Sequence, residues 1–575
     1  MRQQPSKSAA SRTGIEVFLD MLHAAGVRYI FGNPGSTELP LNDALVVDDR
    51  FRYILGLQEI PVVAMADGYA MASGQLGVVN LHISCGLGNA MGMLYNAHRE
   101  GTPLLVTAGQ QDRRLLFEEP ILAGDLVGVA KHWTKWAAEI HRVQDMPSAI
   151  RRAVQTALTP PTGPVFLSLP VDLQSEAAAD LDLTPPHVPD RRVRPPADAL
   201  ARAAEILAGA SHPGILAGSR VTEADAVGEL VQVAEALGAP VISESGTTHG
   251  RLPFPADHPL NGQGLPLWSP EVRERLARFD VLLIVGMDVL RQYIYHEPAR
   301  AIPEHIRLIQ LDEDPWQLGK NYPVEVGLIG DTKAGLGELA ALMQSKMSDS
   351  QRAAARERFE QHAAGHEAAR SQLQATIAAE HDCRPMTPLA LMGALARVLP
   401  EDVVVVEEAV TTTNTTFERL GALKNTSGYF GHRGWALGWG LGCALGAKLA
   451  WPERPVLGLI GDGALLYGVQ ALWSAAHHGI AATIVVPNNA QYQILKVCAR
   501  QLGLPQASED RYAALDIVEP DVDIVTLARS LGVDACRVDN PDELAEVARE
   551  SFSRERTLVI DAPIVRETPG RLEYG

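Results

Sequence analysis

Three α/β domains, each built on a mostly parallel sheet flanked by helices, are the architecture this 575-residue chain predicts. Its length exceeds what one hydrophobic core organises. Short apolar runs alternate with helical patterns in three separate stretches. A proline-rich stretch and a long polar helical stretch divide them.

Residues 1–13 are polar and basic with no apolar run, and read as a flexible tail and not a signal peptide. The first domain, 14–180, has apolar runs at 29–31, 104–107 and 165–169, and helical patterns at 15–25, 61–72 and 149–158. Residues 181–196 show no period and read as a linker. The second domain, 197–343, has buried-strand patterns at 215–217, 240–242, 281–285 and 308–311. It lacks a GxGxxG turn, so a dinucleotide site has no support there. Residues 350–380, rich in Ala, Arg, Glu and Gln, form a solvated connector helix. The third domain, 385–565, has apolar runs at 403–406, 456–460, 482–486 and 558–560.

Composition narrows the function. A formal charge of −19 and a pI near 5.4 argue against nucleic-acid binding. Five scattered cysteines without a CxxC pair suit a reducing, cytoplasmic setting and neither a disulfide framework nor a zinc site. The apolar runs are strand-length, too short to span a bilayer.

The most informative motif is Gly461-Asp462-Gly463, directly after the run 456–460. A helical stretch follows, then the run 482–486 ending at Asn488-Asn489. In a parallel sheet both strands finish on one edge, which brings Asp462 and Asn489 near each other. A carboxylate and an amide oxygen beside accessible backbone amides suit Mg²⁺ carrying a diphosphate, since Mg²⁺ prefers octahedral oxygen ligation.

Three further polar residues fall at strand ends in the first domain. Ser36 sits in the loop of residues 31–40, Glu59 precedes the 61–72 helix, and His82 lies in or after a buried strand. Open α/β sheets bind ligands at that edge. Each residue also fits a structural role. Glu59 suits a helix cap, His82 a satisfied core histidine, and Ser36 a turn residue.

Taken together these motifs resemble the thiamin-diphosphate (ThDP)-dependent 2-oxo acid decarboxylases, above all the benzoylformate decarboxylases. The likeness is strongest at 31–40, 51–59, 66–70, 81–92, 106–111, 163–170, 471–476 and the metal motif. Acetolactate synthases and pyruvate decarboxylases are similar in the metal motif and less so around 31–40 and His82. The resemblance implies a pyrimidine-binding first domain, a central domain and a diphosphate-binding third domain, with ThDP and Mg²⁺ as cofactors. It makes Glu59 the carboxyl group that activates the aminopyrimidine, within an apolar pocket. Ser36 holds the substrate carboxylate, and His82 relays a proton or orients the carbonyl. Leu437 wedges between the cofactor rings. Gly461, Asp462, Gly463 and Asn489 bind the cofactor, and the Gln491 backbone carbonyl joins Asp462 and Asn489 on the metal.

By the same resemblance, Leu122, Tyr293, Ile494, Leu495 and Cys498 are expected to complete the substrate pocket with Ser36 and His82. The implied reaction turns a 2-oxo acid into an aldehyde and CO₂, with carboligation or lyase chemistry as the alternative. The resemblance also implies a homodimer or homotetramer in which Glu59 and Asp462 of one site come from different chains. Two departures stand out. Where the resembled enzymes bring a second histidine from the central domain, an ungapped match gives Tyr293, with His296 three residues on. Ile494 replaces a small residue and Cys498 an aromatic, so the pocket is reshaped.

Overall fold

The computed structural model describes residues 12–188, 190, 192–244 and 250–568. Three six-stranded sheets, every strand pair parallel, organise it. Val, Ile and Leu dominate the inner strands. Pro213–Ala217, Val281–Val285 and Val456–Ile460 are buried at every position, as a sheet with helices on both faces requires.

Counted along its own chain segment, the first sheet has the strand order 2-1-3-4-6-5, and the third repeats it. The central sheet runs 3-2-1-4-5-6. In both outer sheets the order reverses between strands 1 and 3, so their loops leave in opposite directions and open a crevice at the carboxyl ends. In the first sheet these strands are Tyr29–Asn33 and Gly77–Leu81; in the third they are Val404–Glu408 and Val456–Ile460.

The outer domains pack through two helices, Glu59–Ser73 and Trp439–Ala450. Small residues permit the close approach. A Cβ on Gly446 would sit 2.0 Å from the Met65 carbonyl oxygen, and one on Gly68 2.3 Å from that of Cys443. The Trp439 indole N–H donates to Asp67 Oδ2 at 2.6 Å, and burial pushes that carboxyl group up to about 6. The central domain is tied in by buried ion pairs. Arg433 Nη2 of the third domain meets Asp288 Oδ1 at 3.2 Å, and within the central domain Arg220 Nη2 holds that network at 2.9 Å from Asp312 and 3.2 Å from Asp288. Such charges are tolerated inside only because each faces an opposite one.

Several local expectations shift. Arg12 and Thr13, read as tail, pair antiparallel with Ala177–Ala178, and Thr13 caps the first helix in a capping box. The helix expected from Pro61 begins at Glu59. The connector is a 31-residue helix, Asp349–Ala379, in which Ala355 and Leu373 are the buried positions. Among the described residues no helix is long and apolar enough to cross a membrane.

Candidate active site

Glu59 opens its helix but does not cap it. The Gln58 side chain does, accepting from the Ile60 N–H at 2.5 Å. The Glu59 carboxylate is buried and faces two amides: Asn33 Nδ2 donates to Oε1 at 3.4 Å, and Asn89 Nδ2 to Oε2 at 3.1 Å. The expected apolar surround is therefore polar on this side.

His82 follows the third strand at the N-cap of the helix Ile83–Glu100. Its Nδ1 lies 2.9 Å from Glu38 Oε2. Glu38, 1% exposed, also accepts from the Gly35 N–H at 3.0 Å, the Gly109 N–H at 2.8 Å, the Ile83 N–H at 3.4 Å and the Thr37 hydroxyl at 2.8 Å. A carboxylate acceptor at Nδ1 places the ring proton there and leaves Nε2 as the free acceptor. Gly35 makes room, since a Cβ would lie 2.0 Å from Nδ1. Sequence reasoning missed Glu38; its one signal was an acidic residue inside the loop that carries Ser36. Ser36 itself is exposed at the start of a short 3₁₀ turn, two residues before Glu38. Leu122 is half-buried in the left-handed region at φ 72°, and its carbonyl accepts from the Ser84 hydroxyl at 2.6 Å.

On the third sheet, Asp462 begins the helix after Val456–Ile460, with Gly461 at its N-cap and Gly463 next. Asn489 follows Thr483–Asn488 on the neighbouring strand. Asp462 and Asn489 line one cleft of about 280 Å³. Burial pushes the Asp462 carboxyl group up to about 6. Asn489 Oδ1 accepts from the Gln491 N–H at 3.2 Å, and the Gln491 side chain is spent on Lys496 and the Arg566 carbonyl. The donor set fits a hard cation. Among the described residues no group of three or more His, Cys, Asp or Glu is placed to hold a metal. An ion here would draw on one carboxylate, amide and backbone oxygens, and phosphate, which is Mg²⁺ chemistry.

Between these sites runs the segment 432–440. Glu408, buried at the end of its strand, accepts from the backbone N–H groups of Gly438, Trp439 and Gly440 at 3.0, 3.1 and 2.9 Å. His432 stacks on Trp439 with centroids 5.2 Å apart, and burial pushes its imidazole down to about 4. Asn96 holds Ala436 twice, accepting from its N–H at 3.0 Å and donating to its carbonyl at 2.8 Å. Leu437 stands next in line, half-buried against the core shared by the two outer domains. Asn96, Asn89 and His82 lie seven residues apart along one helix and its cap, so all three face the same side.

The remaining pocket candidates divide. Ile494 and Cys498 cluster with Trp268 and Trp435. Tyr293, 40% exposed, sets its ring edge-on to Trp435 at 4.7 Å. His296 lies against Trp268, with ring centroids 5.3 Å apart. Leu495, 43% exposed, is not part of this cluster.

Family models for thiamine pyrophosphate enzymes match three stretches: the N-terminal TPP-binding domain at 12–128, the central domain at 200–339 and the C-terminal TPP-binding domain at 410–562. A benzoylformate decarboxylase of Pseudomonas aeruginosa is 34% identical over 95% of this chain and 97% of its own. A probable acetolactate synthase large subunit of Methanocaldococcus jannaschii is 27% identical over 96% and 92%. Two solved structures superpose with a TM-score of 0.84 at 30% identity, covering 97% of this chain and 100% of theirs. They are a thiamine diphosphate-dependent 4-hydroxybenzoylformate decarboxylase of Rhodococcus jostii and a benzoylformate decarboxylase of Polynucleobacter necessarius. The chain belongs to the thiamine pyrophosphate enzyme family. Within it, the chain is a ThDP-dependent enzyme close to benzoylformate decarboxylase, with acetolactate synthase-like relatives further off.

Proposed function

We propose that this enzyme decarboxylates a 2-oxo acid without oxidation, giving an aldehyde and CO₂, with Mg²⁺ as well as ThDP. The observation that carries this reading is the His82–Glu38 pair at the carboxyl edge of the first sheet, on the loop that also exposes Ser36. Bound ThDP supplies the electron sink that makes loss of CO₂ feasible. The protein's residues do the rest. Glu59 would hold the aminopyrimidine and supply a carboxyl group able to give or take a proton there. Ser36 donates to the substrate carboxylate. His82, its Nδ1 proton held by Glu38, offers Nε2 as a proton carrier beside the reacting carbon. Asp462, the Asn489 amide oxygen and the Gln491 backbone carbonyl would hold Mg²⁺, which would supply positive charge to the diphosphate.

The same reading makes the enzyme a homodimer or homotetramer. Its support is that every residue lining the Asp462 cleft comes from the third domain, whereas Glu59 belongs to the first. A second copy then brings the two halves together. The test supplies ThDP, Mg²⁺ and a panel of arylglyoxylates and aliphatic 2-oxo acids, with and without an acceptor aldehyde. Release of CO₂ with matching free aldehyde supports decarboxylation. Hydroxyketone in place of aldehyde makes carboligation the main activity.

A further inference from the structure

Trp435 occupies a backbone conformation that a bulky residue rarely adopts. Its φ is 64°, in the left-handed region where glycine sits without strain. The conformation is over-determined from both sides. The Trp435 N–H donates to His432 Nδ1 at 3.1 Å, and Ala436 is held at both its N–H and its carbonyl by Asn96. Strain of this kind persists where the side chain it presents has a use.

That side chain points into the cluster that joins the central and third domains. Its ring meets Tyr293 edge-on, 4.7 Å between centroids with planes at 61°. Tyr293 in turn lies 6.0 Å from the buried Trp268. Burial, then the neighbouring Cys498 thiol, pushes the Tyr293 phenol up to about 12. Tyr293 therefore holds its proton at neutral pH. Ile494 and Cys498, one helical turn apart, close the cluster from below. Tyr293 remains partly exposed and Ile494 half-buried, so this wall borders open space. Two residues further on is Leu437, the residue expected against the cofactor.

We infer that Trp435, braced by Tyr293, is the specificity-determining residue that sets the depth of the substrate pocket and favours 2-oxo acids with short aliphatic side chains over arylglyoxylates. The inference rests on the ThDP-dependent 2-oxo acid reading above. An indole at the far end takes the space a substrate ring would fill, and a contact of one or two methylene groups already discriminates about 10–200-fold.

The test compares wild type, Trp435→Gly and Trp435→Phe as ThDP–Mg²⁺ holoenzymes. Glycine removes the ring and accepts the backbone, while phenylalanine keeps an aromatic wall. The readouts are the ratio of kcat/KM for benzoylformate over pyruvate, and the Kd of mandelate, an aromatic acid that cannot be decarboxylated, by calorimetry. Trp435→Gly is expected to raise the ratio at least tenfold and tighten mandelate binding by a similar factor, with Trp435→Phe within threefold of wild type. If Trp435→Gly does not fold, Trp435→Ala is read the same way. An unchanged ratio and unchanged mandelate Kd in a folded variant overturn the inference. If no variant releases CO₂ from any 2-oxo acid yet mandelate binding tightens as expected, the pocket assignment stands and the decarboxylase reading falls.

Discussion

Replacing Glu38 with glutamine tests the proton-carrying arrangement most directly. The carboxylate has donors on both oxygens. Oε1 takes the Gly109 and Ile83 N–H groups and the Thr37 hydroxyl; Oε2 takes the Gly35 N–H and His82 Nδ1. A glutamine must put its NH₂ on one side. On the Oε1 side it faces two backbone N–H groups, and on the Oε2 side only one. The second orientation costs less, and leaves the Gly35 N–H without an acceptor. One unsatisfied buried donor costs about 1–3 kcal/mol.

The same orientation points an amide donor at His82 Nδ1. The imidazole then accepts there and moves its proton to Nε2, losing the free acceptor that faces the substrate. A positioned acid–base group contributes about 10²–10⁴-fold, so Glu38→Gln should lower kcat by that order while ThDP affinity stays within threefold. Steady-state decarboxylation and calorimetric ThDP titration measure the two effects, and melting temperature reports the stability loss. Retention of kcat within tenfold would show that His82 does not act through Nε2, and the reasoning would fail.

Three other outcomes are expected. Asp462→Ala should abolish Mg²⁺-dependent ThDP retention, because the metal's carboxylate ligand goes; undiminished affinity in calorimetry would refute the metal assignment. Glu59→Gln should bind ThDP yet lose about 10²–10⁴-fold in turnover, and C2 deuterium exchange at the wild-type rate would make Glu59 merely structural. His478 should give the stability an acid limb. Its Nε2 accepts from the Leu55 N–H at 2.8 Å, and burial, with nearby His477 and Arg52, pushes its imidazole down to about 4. The unfolded chain takes up this proton first, so the contact's stabilisation is full above the ordinary histidine value near 6.5. It is lost as pH falls toward about 4. Melting temperature against pH should fall less steeply over that window in His478→Gln; identical slopes would exclude the contact.

Local pattern made much of this fold legible. Strands buried on both faces are written as apolar runs rich in Val, Ile and Leu, so inner strands of all three sheets were readable. The edges were not. Trp136–Glu139 is half-buried at every position, and Tyr429–Phe430 is two residues long, so neither has a period to read. The site divides in the same way. Asp462 and Asn489 follow from two strand ends and the rules of parallel sheets. Glu38 became visible only when folding placed a loop from the first strand beside a residue after the third. Glu408 carried a fainter signal, an acidic pair closing an apolar strand, but its partners lie 30 residues on. The Trp435 wall needs two domains brought into contact, which no local pattern encodes.

The helix Ile83–Glu100 runs through this arrangement. From His82 to Asn96 it covers about 21 Å at 1.5 Å per residue. Its cap carries the histidine, its second turn steadies Glu59, and its fourth grips the loop that presents Leu437. A helix that shifts does so as one body. A packing change at Ala90 or Met93, out of reach of any ligand, would displace all three groups by the same small vector. Substitutions along it should therefore couple non-additively in double-mutant cycles. Improving one of the three contacts by moving the helix would detune the other two, so the enzyme can adjust them only together.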